Sequence, residues 1–78
     1  MAMVQNEITD GRIVTDPRIL NGKPVIRGTR ISVAFILECL AGMSKNEILE
    51  SYPALSEEDI EAALHHAAKI LHETRDVR

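Results

Sequence analysis

The residues of this sequence that could contact nucleic acid are basic side chains within its first 30 positions. These positions carry five basic residues against three acids, whereas the rest of the chain has four basic residues against nine acids. Such an asymmetry is typical of a basic binding segment joined to an acidic body, although it also fits scattered solvated charges. The candidates for phosphate contacts are Arg12, Lys23, Arg27 and Arg30, displayed on strands as in ribbon-type DNA readers. The structural alternative is that these side chains pair with acids or cap backbone carbonyl groups.

Histidine and cysteine are the residues that could bind a metal or act in catalysis. His65 and His66 point about 100° apart on a helix, and His65 and His72 lie roughly 10 Å apart. No single metal with bonds of about 2 Å spans that gap within one chain. Cys39 lies in an apolar segment and is expected to behave as a small hydrophobic residue. We therefore expect no catalytic residue, no metal, no cofactor and no enzymatic activity. A third possible function is that of a small-ligand or metal sensor, in which a metal would have to bind at a site shared between subunits.

Composition limits what these residues can belong to. The chain has 78 residues and 45% hydrophobic content, which allows one small folded domain. Phe35 and Tyr52 are its only aromatic residues, too few for a platform that stacks bases. One cysteine excludes an internal disulfide framework. The sequence has neither a membrane-length apolar segment nor a leader-like start, so we expect a cytoplasmic protein that does not contact the membrane.

The N-terminal third is predicted to contain short strands. Residues 1–10 show no periodicity and are interpreted as a flexible arm before a single domain over residues 11–78. A strand is expected over residues 12–15, followed by a turn and one helical turn over residues 17–20. Asn21-Gly22 is a strong turn signal. Gly28-Thr29 separates two β-prone pieces and predicts a tight hairpin or a bulge.

Three helices are expected after the strands. The first covers residues 33–41 and ends at Gly42 in the C′ position. Ser44 and Glu47 form a capping box that opens a second helix, which ends before Pro53. Ser56 and the acids after it open a third helix over residues 57–74. The layout is that of a trihelical helix-turn-helix bundle, although three helices also pack together without any role in DNA binding.

The carboxylates at the start of the third helix disfavour the usual docking of such a bundle on DNA. A recognition helix reads bases from its N-terminal turns, where this sequence places Glu57, Glu58 and Glu61. Three carboxylates at those positions would repel the phosphate backbone. If DNA is bound, the basic residues of the N-terminal strands are the better candidates.

The apolar pattern of the helices predicts a homodimer. The third helix has one apolar stripe, formed by Ile60, Ala63, Leu64, Ala67 and Leu71 and widened by Ile70. Residues 33–41 contain a single charge, so the first helix should be buried on most sides. The chain has few elements to cover it, and two-fold dimers are the commonest small assemblies. The expected interface residues are Val33, Phe35, Ile36, Leu37 and Leu40. Alternatively, the strands cover this helix within one chain.

Four segments of the chain resemble the domain of unknown function 433 family of small bacterial and archaeal proteins. They are residues 21–33 (NGKPVIRGTRISV), 41–44 (AGMS), 47–53 (EILESYP) and 59–64 (DIEAAL). The resemblance extends from about Ile8 to Leu71. The positions that match the family motif are Gly22, Pro24, Ile26, Arg27, Gly28, Thr29, Arg30, Tyr52 and Pro53.

This resemblance implies a homeodomain-like or winged-helix-like trihelical fold with N-terminal strands, and a homodimer. It also implies an antitoxin role beside a ribonuclease toxin with a PIN-like fold, without assigning any catalytic residue. The function expected is a non-enzymatic, homodimeric, antitoxin-like interaction module that binds a toxin and operator DNA. The alternative is a stand-alone DNA-binding transcriptional regulator.

Overall fold

The computed structural model describes residues 11–74 of the chain, and the predicted arm of residues 1–10 lies outside them. Two short strands precede three helices: β1 (Ile13–Val14), β2 (Val25–Ile26), α1 (Val33–Leu40), α2 (Lys45–Ser51) and α3 (Glu57–Thr74). The expected class, mainly α with short N-terminal strands, is confirmed. The helix-turn-helix arrangement itself stays a prediction.

The two strands form one antiparallel pair, in which Ile13 lies opposite Ile26 and Val14 opposite Val25. The chain then reverses tightly at Gly28, whose φ of +80° lies in the left-handed region that glycine adopts without strain. The Ile26 backbone N–H donates to the Ile31 carbonyl at 2.9 Å, and Val25 forms a bridge with Ser32. The predicted tight turn at Gly28 is therefore confirmed. The partner of β2 within the sheet was not predicted.

The segment between the strands differs from the prediction of one helical turn over residues 17–20. The Asp16 side chain accepts a hydrogen bond from the Arg18 backbone N–H at 2.9 Å, and the Asp16 carbonyl accepts one from Ile19 at 2.8 Å. This local side-chain bond favours a turn over a helix. A single 3-10 turn follows at Leu20–Gly22, where all three residues have positive φ. The Asn21-Gly22 turn is confirmed.

Side chains at the helix starts explain why the helices begin where they do. The Ser32 hydroxyl accepts from the Phe35 backbone N–H at 2.9 Å, and the predicted Ser44–Glu47 capping box is formed. At the end of α1, Ala41 is the C-cap and Gly42 takes the predicted C′ position, although this glycine does not adopt the positive φ that is usual there. The N–H groups of Gly42 and Met43 both donate to the Cys39 carbonyl, so tight turns finish the helix without a left-handed residue.

The core lies where the three helices meet, around the fully buried side chains of Ile36, Ile48 and Ile60. The apolar stripe of α3 reaches this core only in its N-terminal half, through Ile60 and Ala63. The predicted burial of the other stripe residues was wrong for three of them, which are 45–73% exposed: Leu64, Ile70 and Leu71. Ile70 and Leu71 lie in the C-terminal half of α3, outside the core cluster. Leu64 lies in the half that contacts the core, but about 100° around the helix from the buried Ala63.

Candidate functional site

Two of the four predicted DNA-contacting side chains have partners within the chain. Arg12 donates from Nη1 to Oδ1 of Asp59 at 3.1 Å, and Asp59 is 7% exposed. Arg27 donates from Nε to the Gly11 carbonyl at 2.8 Å. These guanidinium groups connect the segment of β1 to α3 and the end of β2 to the residue before β1, so both stabilise the fold.

The other two predicted cations are available to a ligand. Lys23 and Arg30 are exposed, and neither side chain has a hydrogen-bond or ion-pair partner among residues 11–74. Lys23 follows the 3-10 turn, and Arg30 follows the Gly28 turn. Of the four residues predicted to contact nucleic acid, two arginines therefore stabilise the fold, and the other two cations lie free on separate turns.

The Gly28 turn is fixed by its own side chains, which explains the residue types found there. The Thr29 hydroxyl donates to the Ile26 carbonyl at 2.8 Å and accepts from the Ile31 backbone N–H at 2.9 Å. A Cβ atom on Gly28 would meet no heavy atom within 4 Å, so its φ alone demands glycine. This turn holds Arg30 at its surface-exposed end.

The five predicted interface residues of α1 divide between the core and the surface. Val33 and Ile36 are 5% and 0% exposed within the single chain, where another molecule cannot reach them. Phe35 is 38% exposed and packs edge-on against Tyr52, with ring centroids 5.4 Å apart. Leu37 and Leu40 are half-buried. Among these five residues Phe35 therefore offers the most exposed side chain to a second copy, whereas Leu37 points to the other side of the helix.

An apolar groove of about 370 Å³ lies between α1 and the C-terminal half of α3. Its lining is mostly aliphatic and comes from both helices and from the segment before β2: Lys23, Pro24, Ser32, Val33, Ala34, Leu37, His66, Ala67, Ile70 and Leu71. Its volume falls within the range of ligand pockets. No local signal in the sequence predicted this groove, because the apolar stripe of α3 is the pattern of a helix buried along its whole length.

The three histidines are not brought together at one point of the structure. His65 and His72 are exposed, whereas His66 is half-buried at the groove and its Nε2 atom is buried without a hydrogen-bond partner. Burial lowers the pKa of His66, and Lys69 lowers it further, against an opposing effect of Glu73. Among residues 11–74 no group of three or more histidine, cysteine or acidic side chains could hold a metal ion.

The acids at the start of α3 form a charged surface that is partly neutralised by α2. Lys45 donates from Nζ to Glu57 at 3.0 Å and lies 3.8 Å from a carboxylate oxygen of Glu61. The hydrogen bond and charge of Glu57 raise the pKa of Lys45. Glu58 is exposed beside them. The excess of carboxylates here still opposes a phosphate backbone.

Comparison with known proteins places the chain among its relatives. The model of the family described as "Protein of unknown function (DUF433)" matches residues 13–67, which is 55 of the 78 residues and includes β1, β2, α1, α2 and most of α3. The chain belongs to this family. The resemblance noted from the motif segments is thereby confirmed.

The chain is also similar to one curated protein, whose description names no activity. The chain is 39% identical over 56 residues to "Uncharacterized protein y4eO" of Sinorhizobium fredii strain NGR234. The match covers 70% of this chain but about a quarter of the length of that relative. No solved structure matches the chain. None of the helices in residues 11–74 is long and apolar enough to cross a bilayer.

Proposed function

We propose that this member of the DUF433 family is a non-enzymatic, homodimeric interaction module with an antitoxin-like role. The observation that carries the proposal is the apolar side chain of Phe35, left 38% exposed on a helix whose residues are almost all hydrophobic. An exposed aromatic residue surrounded by other apolar side chains is typical of the centre of a protein interface.

The partner class for which we argue is a ribonuclease toxin with a PIN-like fold, as the family resemblance implies. The described residues favour binding over catalysis. Outside the acids at the start of α3, most hydrogen-bonded polar side chains cap a helix or stabilise a turn. Cys39 is half-buried against the core, away from any assembled base or oxyanion donor in the described part of the chain.

Sedimentation equilibrium tests the homodimer directly. We expect a particle of twice the chain mass of 8.7 kDa, and a shift towards 8.7 kDa for Phe35→Glu. Leu64→Glu is the matched control, because Leu64 is similarly exposed, at 45%, but lies on α3. A folded wild-type monomer at high concentration would refute the dimer. Dissociation by Leu64→Glu alone would place the interface on α3 instead.

The toxin-binding role is tested by co-expression with the product of an adjacent reading frame that has the clustered acids of a metal-dependent nuclease. We expect a stable complex and inhibition of its ribonuclease activity. Co-purification without inhibition, or no complex at all, contradicts the antitoxin role.

A stand-alone DNA-binding regulator is the second candidate, favoured by the unpartnered cations Lys23 and Arg30. Phosphate contacts would make the affinity for upstream DNA fall steeply with salt. A homodimer would present four such cations, so replacing both residues by glutamine should flatten the salt dependence on duplex DNA by about 3.6 units of logarithmic slope. A salt-independent or undetectable affinity contradicts this function.

A further inference from the structure

The groove between α1 and α3 faces a different direction from Phe35. At 100° per residue, the side chain of Leu37 points about 160° away from that of Phe35 around the axis of α1, and that of Ala34 about 100° away. Leu37 and Ala34 line the groove, whereas Phe35 packs against Tyr52 on the α2 side. A second copy that covers Phe35 therefore leaves the groove for another molecule.

The shape and lining of the groove suit an α-helix as its occupant. Two helices form its walls, and the small side chains Ala34 and Ala67 stand on opposite sides. Small residues allow the backbone of a third helix to approach closely, at the interaxial distances of ordinary helix packing. An amphipathic helix that lays its apolar face between two others is a recurring mode of peptide recognition.

The charge at the groove selects among such helices. Lys23 is exposed at the groove, without an acidic partner among residues 11–74, and none of the lining residues is acidic. A carboxylate beside the apolar face of an incoming helix would pair with this ammonium group, whereas a lysine there would be repelled. This local preference opposes the net charge of −3 of the whole chain, which would attract basic peptides.

From these observations we infer that the α1–α3 groove binds an acidic amphipathic helix of a partner protein, with Lys23 pairing a carboxylate that flanks the apolar face of that helix. The inference rests on the proposed function as an interaction module, but it does not require the homodimer, because the groove is complete within one chain.

Two synthetic helical peptides test the charge preference. Both carry leucines at positions i, i+3, i+4 and i+7. One has glutamates and the other lysines beside that stripe. Titrated into the 15N-labelled chain, the glutamate peptide should shift the amide signals of Ala34, Leu37 and Ala67 and bind about two- to fivefold more tightly. Lys23→Glu should reverse that preference, while Arg30→Glu, which changes an equally exposed cation outside the groove, should leave it unchanged.

A steric variant separates the groove from other surfaces. Ala34→Glu places a carboxylate in the first turn of α1, where the helix dipole favours it, so the fold should be retained while the glutamate peptide is excluded. Equal affinity for both peptides, or signal shifts confined to Phe35 and Tyr52, overturns the inference. So does a change of sedimentation in Ala34→Glu, because a second copy would then be the occupant. A monomeric wild type that still binds the glutamate peptide refutes the homodimer and leaves the groove inference standing.

Discussion

Asp59 joins the N-terminal strands to the third helix through one nearly buried carboxylate. Its Oδ1 accepts from Nη1 of Arg12 at 3.1 Å, and its Oδ2 accepts from the Ser56 backbone N–H at 2.9 Å. The Ser56 hydroxyl in turn accepts from the Asp59 N–H at 3.2 Å, which completes a reciprocal cap with aspartate in the place of glutamate. Asp59→Ala removes the bonds of both carboxylate oxygens.

The expected loss follows from the exposure of the two partners. The capping bond should contribute about 1 kcal/mol. A buried charge-assisted bond would contribute more, but the Arg12 side chain is 38% exposed and water can rehydrate it, so its pairing should contribute about 1 kcal/mol. We expect Asp59→Ala to lower the free energy of unfolding by about 2 kcal/mol and the Tm by roughly 8–16 °C.

Urea denaturation of a double-mutant cycle separates the two contributions. Arg12→Ala combined with Asp59→Ala should show a coupling energy of about 1 kcal/mol. Arg18→Ala is the matched control: its ion pair with Asp16 leaves the Arg18 side chain 87% exposed to screening by water and salt, so its loss should leave the urea midpoint unchanged. A coupling energy near zero would show that the pairing of Arg12 with Asp59 does not stabilise the fold. Arg12 would then count with Lys23 and Arg30 as a cation available to a ligand.

Two further predictions concern the Gly28 turn and the buried histidine. Gly28→Val should destabilise the fold by about 1–3 kcal/mol and Gly28→Ala by about 1 kcal/mol, because only the positive φ at this position opposes a side chain. Thermal melting checks this, and equal midpoints for the wild type and both variants would contradict it. Burial lowers the pKa of His66 below its ordinary 6.5, so the unfolded state binds the proton more readily than the folded state. The contribution of His66 to stability is therefore complete above about pH 6.5 and is lost as the pH falls through the lower pKa of the folded state. His66→Leu should remove this part of the pH dependence of unfolding, and the same change at the exposed His65 should not; identical slopes in the two variants would refute it.

Local signals predicted the elements of this fold closely. The second and third helices begin after Ser44 and Ser56, as expected, because each serine satisfies a backbone N–H within its own helical turn. Local patterns did not predict the backbone conformation where alternative local hydrogen bonds compete. Gly42 could have adopted a left-handed conformation, but two hydrogen bonds to the Cys39 carbonyl finish α1 without it. The side chain of Asp16 likewise replaced the expected helical turn with a β-turn.

The candidate site was less predictable, because its residues are distant in sequence. The sequence identified Arg12 and Arg27 as cations, but their use depends on Asp59, 47 residues beyond Arg12, and on a carbonyl group 16 residues before Arg27. The groove likewise requires knowing that α1 faces the C-terminal half of α3 without closing on it. The periodicity of α3 does not distinguish the buried Ile60 from the exposed Leu64, because both lie on the same apolar stripe.

The sequence by itself determined where the chain turns and where its helices start, since glycine, proline and capping side chains act over three or four residues. It also determined that α1 is too apolar to be an ordinary surface helix. Only the tertiary structure decided which arginines are free, which half of α3 is buried and where the groove lies. These features depend on the relative lengths and contacts of elements that are far apart along the chain.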